Sequence, residues 1–350
     1  MRSISQVLVN LDSPSLSPLP TPSCSPLPYS NPTCAALAVE SMSSHMTDEG
    51  WQIMVGLEHH GFKLCGYNLT VGFTDVDQIL ATLSPDVVLV QDKREWDLAA
   101  KDFREPRARF TNVESLKDRH DIFKLTILKD AHQRPEYHMQ SAEEMGVHAW
   151  VTYYHSDIVH HLAPYTRKEH LIRTYHSVNA DRVPPYSPEG RSGTLLSGAV
   201  SSVYPMRQNM IREIHRLPAT IVLRHPGYHR KGCMTYEFLH ALSKFKVAIC
   251  TSSMYGYALR KIIEATACGC IVVTDLPTDE VLPEIDDNLI RVAPTISGRD
   301  MGKLLSRLYE TYDADRQYYF AQQCKSFYDY RNTCRILKDQ ILNLRRNYPC

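Results

Sequence analysis

Cys250-Thr-Ser-Ser-Met-Tyr-Gly256-Tyr-Ala-Leu-Arg260-Lys-Ile-Ile-Glu264-Ala-Thr-Ala-Cys-Gly269-Cys-Ile-Val-Val-Thr-Asp275 reads as a strand end, a Ser/Gly loop, a helix, a tight glycine turn and a second strand. Leu259, Ile262, Ile263 and Thr266 share one helical face, and Arg260, Lys261 and Glu264 share the other. The helix therefore has a core side and a polar side that starts beside the loop. A loop of this kind, here carrying Ser252 and Ser253, leaves backbone N–H groups unpaired next to the positive end of the helix dipole, which suits an anion. In an open parallel sheet such a loop lies at the carboxyl edge of the strands, where ligands bind. The plain alternative is a surface pair, Arg260 with Glu264 at i,i+4, followed by Gly269 as a C-cap.

The run from Arg260 to Pro277 resembles the donor-site signature of glycosyltransferases built from two facing Rossmann-like domains, the GT-B fold. The pattern is most similar to the spore-maturation-protein-like branch of the family-1/family-4 glycosyltransferases. The resemblance implies that Glu264 holds the ribose hydroxyls of a nucleotide and that the Cys-Gly-Cys turn brings the next strand back under the helix. Glycogen-synthase-like relatives carry a further Glu eight positions before this one, where the chain has Gly256. The sugar contacts of that first Glu, and a retaining course, are therefore not implied.

With 350 residues, 43% of them hydrophobic, the chain is long enough for two domains with real cores. Lys plus Arg and Asp plus Glu number 39 each, so no overall field draws the protein to nucleic acid or an anionic membrane. Any anion site must be local. The ten cysteines show no C-x-x-C spacing, which points to reduced, buried thiols rather than a disulfide framework or a zinc site. The apolar run at the amino terminus is too short for a signal peptide and no segment has the length of a membrane span, so a cytoplasmic protein without an integral membrane segment is expected. The Asn68-Leu-Thr70 sequon then has no role.

In chain order, Gln6–Leu11 reads as a short first strand running into a Ser/Pro-rich tract, so residues 1–43 are expected to be an irregular segment, either a lid or a disordered extension. Order is expected to resume near Ser44, with Thr47 or Asp48 capping a helix that carries Trp51, Met54 and Leu57. Strands at Lys63–Tyr67, Asp86–Gln91, Ile122–Leu128, His148–His155 and Leu171–His176 alternate with helical patterns such as Asp75–Leu83, which builds a parallel sheet over residues 44–180. The charged run Asp92–Asp97 either lines the cleft or is simply solvated. Asp130 and His132 follow the strand Ile122–Leu128, and a carboxyl strand edge in the first domain is where a general base or a sugar-orienting group belongs. Their alternative reading is a capping Asp with an exposed His. His155 and His176 end later strands in the same way.

Residues 181–193 are Pro-rich and read as a linker. Beyond them Thr194–Gly198, Thr220–Arg224, Val247–Thr251 and Ile271–Asp275 recur about every 25 residues, the rhythm of βα units, and define a second domain over residues 194–325. The stretch from Ser197 and Gly198 through Tyr204 to Arg207 also resembles the family, which implies that this loop lies against the donor diphosphate and that Arg207 neutralises it. His225 and Tyr228 follow the next strand, on the same edge; Lys261 sits beside Glu264 on the polar helix face. Asp279, Glu280 and Glu284 are read as solvated. Residues 326–350 are expected to form a terminal helix, which in GT-B proteins packs back on the first domain.

The reading that follows is a metal-independent glycosyltransferase, with no cofactor beyond its nucleotide-diphosphate-sugar substrate. Ser197, Gly198, Tyr204, Arg207, His225, Ser252, Ser253, Lys261 and Glu264 would face the donor, and Asp130 and His132 would do the chemistry. The acceptor is not implied. A nucleotide-sugar epimerase of the same architecture and a catalytically silent nucleotide-sugar-binding protein remain as alternatives.

Overall fold

The structure is a computed structural model that describes residues 31–44, 48–102, 109–130, 134–154, 170–225 and 234–348. Residues from Thr33 onward make one unit. Within this unit stand two parallel sheets. The first contains β1 (Cys34–Leu37), β2 (Lys63–Cys65), β3 (Val87–Val90), β4 (Phe123–Leu128), β5 (Ala149–Thr152) and β6 (Leu171–Arg173), in the order β2-β1-β3-β4-β5-β6. The second contains β7 (Thr194–Ser197), β8 (Thr220–Leu223), β9 (Val247–Ile249), β10 (Ile271–Thr274) and β11 (Leu289–Arg291), in the order β11-β10-β9-β7-β8. Every pairing is parallel. Central strands such as Val-Val-Leu-Val of β3 are buried on both faces, because helices cover both sides of each sheet.

The helices are α1 (Glu49–His59), α2 (Val76–Leu83), α3 (Lys93–Asp102), α4 (Pro135–Met145), α5 (Pro205–Arg212), α6 (Thr235–Leu242), α7 (Arg260–Ala267), α8 (Gly298–Glu310), α9 (Ala314–Tyr328) and α10 (Tyr330–Arg346). Their ends follow local chemistry. Asp75 accepts the Gln78 amide to start α2, Ser297 accepts that of Asp300 to start α8, and α4 runs from a proline in its first turn to Gly146 in the left-handed conformation.

Two expectations about the first half are corrected. Among the described residues regular structure starts at Cys34 rather than near Ser44, and β1, taken above for part of the irregular segment, sits inside the first sheet between β2 and β3. Its Cys-Ala-Ala-Leu sequence has no β-branched residue and no alternation, so only pairing on both sides identifies it as a strand. Gln6–Leu11 lies outside the described residues. Asp48 precedes α1 but makes no capping bond, being engaged across the molecule instead. In the second half β11 was missed: it is three residues long and gives no periodic signal.

The expected return of the chain to the first lobe is present. The Val178 amide donates to Tyr328 O (2.9 Å) and the Tyr330 amide to Val178 O (3.0 Å), so the two crossings between lobes are zipped together at Asp329, where α9 ends and α10 begins. The α9 helix stays on the second lobe, Cys324 Sγ donating to Ile263 O at 3.3 Å. The α10 helix lies along α1, with Cys334 Sγ on Ile53 O (3.4 Å), Lys338 Nζ on His60 O (2.6 Å) and Arg345 paired with Asp86 (2.7 Å). The close approach depends on Gly56, where a Cβ would lie 2.5 Å from Cys334 Sγ and 2.9 Å from Tyr330 O. Cys34, Cys65, Cys250, Cys268, Cys270, Cys324 and Cys334 are free and buried. No helix among the described residues is long and apolar enough to cross a membrane.

Candidate functional site

Both sheets change winding direction beside their first strand, β1 against β3 and β7 against β9. The loops after β7 and β9 therefore flank the topological switch point of the second lobe. Arg207 joins them from below. Its guanidinium, 1% exposed, donates to Ala199 O (2.7 Å) and Thr251 Oγ1 (2.8 Å) and lies 4.2 Å over the Tyr204 ring. Gly198 makes room for it: the residue has φ +115°, and a Cβ there would come within 2.5 Å of Arg207 Nη1. Arg207 thus ties the loop after β7 to the loop after β9, and its positive charge lies against Gly198.

Four amides of the Ser252–Gly256 loop, expected to be outward and unpaired, are taken by the protein itself. Ser252 N–H donates to Asp275 Oδ1 (2.5 Å), Met254 N–H to Val203 O (2.7 Å), Tyr255 N–H to Ser253 Oγ (3.1 Å) and Gly256 N–H to Ser253 O (2.9 Å). Burial pushes the Asp275 carboxyl up, against the pull of the Ser252 amide. Gly256 sits at φ +71° with Pro277 beside it, so a Glu there would be strained.

The polar flank of α7 is not wet. Glu264 and Arg260 are 5% and 7% exposed, and they form a buried pair, Arg260 Nε to Glu264 Oε1 at 3.3 Å. The flank faces the first lobe. Arg260 Nη1 and Nη2 both donate to Asp48 Oδ1 (3.2 Å each), and Nε donates to Ser177 O (3.0 Å). Thr235 Oγ1 adds a bond to the same Asp48 oxygen (3.0 Å). Burial works to raise the Asp48 carboxyl, but the Arg260 charge and the bonds to it prevail and hold it below its ordinary value. Next to this pair, Glu49 bonds His176 Nδ1 (2.5 Å); burial opposes its ionisation, the His176 contact favours it, and the carboxyl is held at about 2. Amphipathic spacing identified the polar face correctly. It could not say that the other lobe covers that face.

Lys261, partly buried, lies over the Phe238 ring at 4.2 Å. Burial lowers its ammonium below the ordinary value; Glu264 works against this and Arg207 with it. Burial likewise lowers the His225 imidazole, aided by the charges of Lys261 and Arg207. These three basic residues, far apart in sequence, feel one another at the carboxyl edge of the second sheet. Among the described residues no group of three or more His, Cys, Asp or Glu side chains is placed to hold a metal ion.

In the first lobe Asp130 follows β4 with φ +46°, a left-handed conformation that costs about 1 kcal/mol or more for a residue with a side chain. Its own amide donates to Tyr154 Oη (2.7 Å), and that hydroxyl donates in turn to Asp130 Oδ1 (3.2 Å). Arg94 steadies the preceding residue, donating to Lys129 O while forking onto Asp92, its Nη2 2.7 Å from Oδ2. Lys129 pairs with Glu95 at 2.6 Å. The charged run after β3 is therefore part of this edge, with Asp92 1% exposed. Glu280, expected to be solvated, is buried against Arg173 of the first lobe. His132, His155 and Tyr228 lie outside the described residues. Sequence reasoning missed Tyr154 and Tyr257; their rings meet across the lobes with centroids 4.1 Å apart. No periodic or motif signal marks either.

The chain has the GT-B fold, two Rossmann-like lobes joined by a paired crossing and a carboxyl-terminal helix. Among solved structures it resembles sucrose-phosphate synthase from Thermosynechococcus elongatus and a glycosyltransferase from Rickettsia africae ESF-5, each with TM-score 0.55, 9% identity, and 91% of this chain and 100% of the other covered. Anabaena Alr3699/HepE in complex with UDP-glucose superimposes with TM-score 0.54 and 9% identity over 89% of this chain and 100% of its own. No known protein-family pattern matches the chain, and no curated protein matches it.

Proposed function

We propose that the protein transfers a glycosyl group from a nucleoside-diphosphate sugar to an acceptor where the two lobes meet. The observation that carries this reading is the meeting of Asp130, at the end of β4, with the β9–α7 loop of the other lobe through the Tyr154–Tyr257 contact. A group able to take a proton thereby stands next to the loop that the sequence resemblance assigns to the donor. The acceptor oxygen bonds to the anomeric carbon as the bond from that carbon to the phosphate oxygen breaks. The electron pair leaves on the diphosphate, and the acceptor's proton passes to the Asp130 carboxylate.

The leaving diphosphate is stabilised by Lys261 and the start of α7 rather than by a bound cation, with the Arg207 charge beneath the β7 loop adding to the field. Ser197, Gly198, Ser252 and Ser253 form the floor of this place, with His225 and Tyr204 at its side. Gripping a ribose with Glu264 requires the carboxylate to exchange its 3.3 Å Arg260 contact for the sugar hydroxyls. The resemblance of Arg260–Pro277 to the spore-maturation-protein-like branch supports this finer placement, and the UDP-glucose held by Anabaena HepE makes UDP-sugars the first donors to test.

Calorimetry with UDP, GDP and ADP, followed by donor hydrolysis and transfer assays with and without EDTA, tests the reading. Binding of one nucleotide, with turnover indifferent to EDTA, is expected; no binding to any of them refutes it. Glu264→Ala should weaken nucleotide binding, and Asp130→Asn should spare binding and slow turnover. A second reading, a silent binding protein, draws on the burial of Glu264 and on Gly256 in place of an acid. Slow donor hydrolysis that depends on Asp130 excludes it.

A further inference from the structure

The loop between β9 and α7 does more than face a donor. Tyr257, 4% exposed, belongs to the apolar core of the first lobe although it stands in the second, and Tyr255 and Leu259 pack against the same core. Tyr255 and Tyr257 are stacked, with centroids 6.0 Å apart and ring planes within 4°. The Ser253 and Tyr154 hydroxyls stand within hydrogen-bonding reach of that of Tyr257. A chain of hydroxyls thus runs from Ser253 through Tyr257 and Tyr154 to the Asp130 carboxylate and amide.

We infer that Tyr154 is a positioning residue for Asp130 and that Tyr257 couples it to the donor loop, so that an occupied loop holds Asp130 in its working geometry. Asp130 is in a backbone conformation that its side chain disfavours, and among the described residues the Tyr154 hydroxyl is the partner that both pins its amide and orients its carboxylate. Burial keeps that phenol protonated far above neutral pH, and the Asp130 charge acts in the same direction, so it remains a donor to the carboxylate. Arg94 holds only the residue before, through Lys129 O. Removing the Tyr154 hydroxyl therefore frees Asp130 to leave the left-handed conformation, while the ring still fills its place in the core. A shift of about 1 Å in a reacting group costs about a hundredfold in rate.

This inference rests on the second lobe being the nucleotide site, and the experiment separates the two. Amide exchange of the full chain is followed at residues 123–130 with and without UDP, GDP or ADP, for the wild type and for Tyr154→Phe and Tyr257→Phe. Donor hydrolysis is measured in parallel. Expected are slower exchange at Asp130 when the nucleotide binds the wild type, loss of that protection in both variants, nucleotide affinity within about twofold of wild type, and a kcat lowered by about 10–100-fold at unchanged KM. The wild-type arm needs no substitution, so a variant that folds poorly does not remove the test. Nucleotide binding that leaves Asp130 exchange unaltered in the wild type, or a Tyr154→Phe protein with wild-type kcat, overturns the coupling alone. Failure of all three nucleotides to bind removes the reading of the second lobe and this inference with it.

Discussion

Replacing Asp48 tests whether the two lobes are held by a buried ion pair. Its carboxylate, 6% exposed, receives both terminal nitrogens of Arg260 at 3.2 Å and the Thr235 hydroxyl at 3.0 Å. In Asp48→Ala those nitrogens lose their acceptor inside the seam, and Arg260 retains only Ser177 O and Glu264 through Nε. Leaving one partner of a buried pair alone costs about 3–5 kcal/mol, and the remaining Glu264 contact places this case at the lower end, about 3 kcal/mol. Asp48→Asn keeps an oxygen that accepts and should cost about 1–2 kcal/mol. Urea unfolding of both variants, of Arg260→Met and of the double mutant forms a thermodynamic cycle, with an expected coupling of about 2 kcal/mol between residues 48 and 260. Small-angle scattering of the same proteins reads the separation of the lobes. The carboxyl is held below its ordinary value, so the contribution is fully present above the ordinary carboxylate range and is lost as pH falls through the depressed one. A cost below about 0.5 kcal/mol for Asp48→Ala, with additive single mutants, would refute the reasoning.

Three further outcomes are expected. Gly198→Ala drives a methyl group to within 2.5 Å of Arg207 Nη1 at φ +115°; it should destabilise the second lobe by about 2 kcal/mol and weaken nucleotide binding, read by thermal unfolding and calorimetry. Gly56→Ala should cost about 1–3 kcal/mol by forcing α10 off α1, seen as faster amide exchange in α10 with the second lobe unchanged. His148 accepts the Lys124 amide at 3.0 Å, and burial, with the Lys124 charge, lowers its imidazole from 6.5 to about 4. The unfolded chain therefore binds the extra proton first. Stability should be full above pH 6.5 and fall toward pH 4 by at most about 3 kcal/mol, about 2 kcal/mol once solvent screening of the partly exposed ring is allowed for, a slope that His148→Asn flattens in urea titrations at stepped pH.

Elements with long buried runs or clear helical spacing were legible in advance. The Val-rich strands, the amphipathic Arg260–Ala267 helix and the repeated βα rhythm correspond to strands and helices of the structure. β1 was not legible, since Cys-Ala-Ala-Leu has no strand signature of its own and is held by neighbours on both sides. Within the candidate site, the strand pattern placed Asp130 after β4 and helical spacing put Lys261 and Glu264 together on α7, while the part given to Arg207 came from the resemblance. Their partners did not. Asp48 was read as a cap and Glu280 as solvated, because a charge's partner 107 or 212 positions away leaves no periodic trace.

What the amino-acid order determined by itself is local: where hydrophobic periodicity starts and stops, and hence two successive sets of βα units with their loops at the carboxyl edges. Only the tertiary structure decided which side of α7 meets water, what the guanidiniums of Arg207 and Arg260 bind, and that Tyr257 of one lobe lies on Tyr154 of the other. The physical reason is that backbone propensity and amphipathic spacing act over a few residues, whereas burial and charge pairing depend on surfaces that come together only when both lobes have folded.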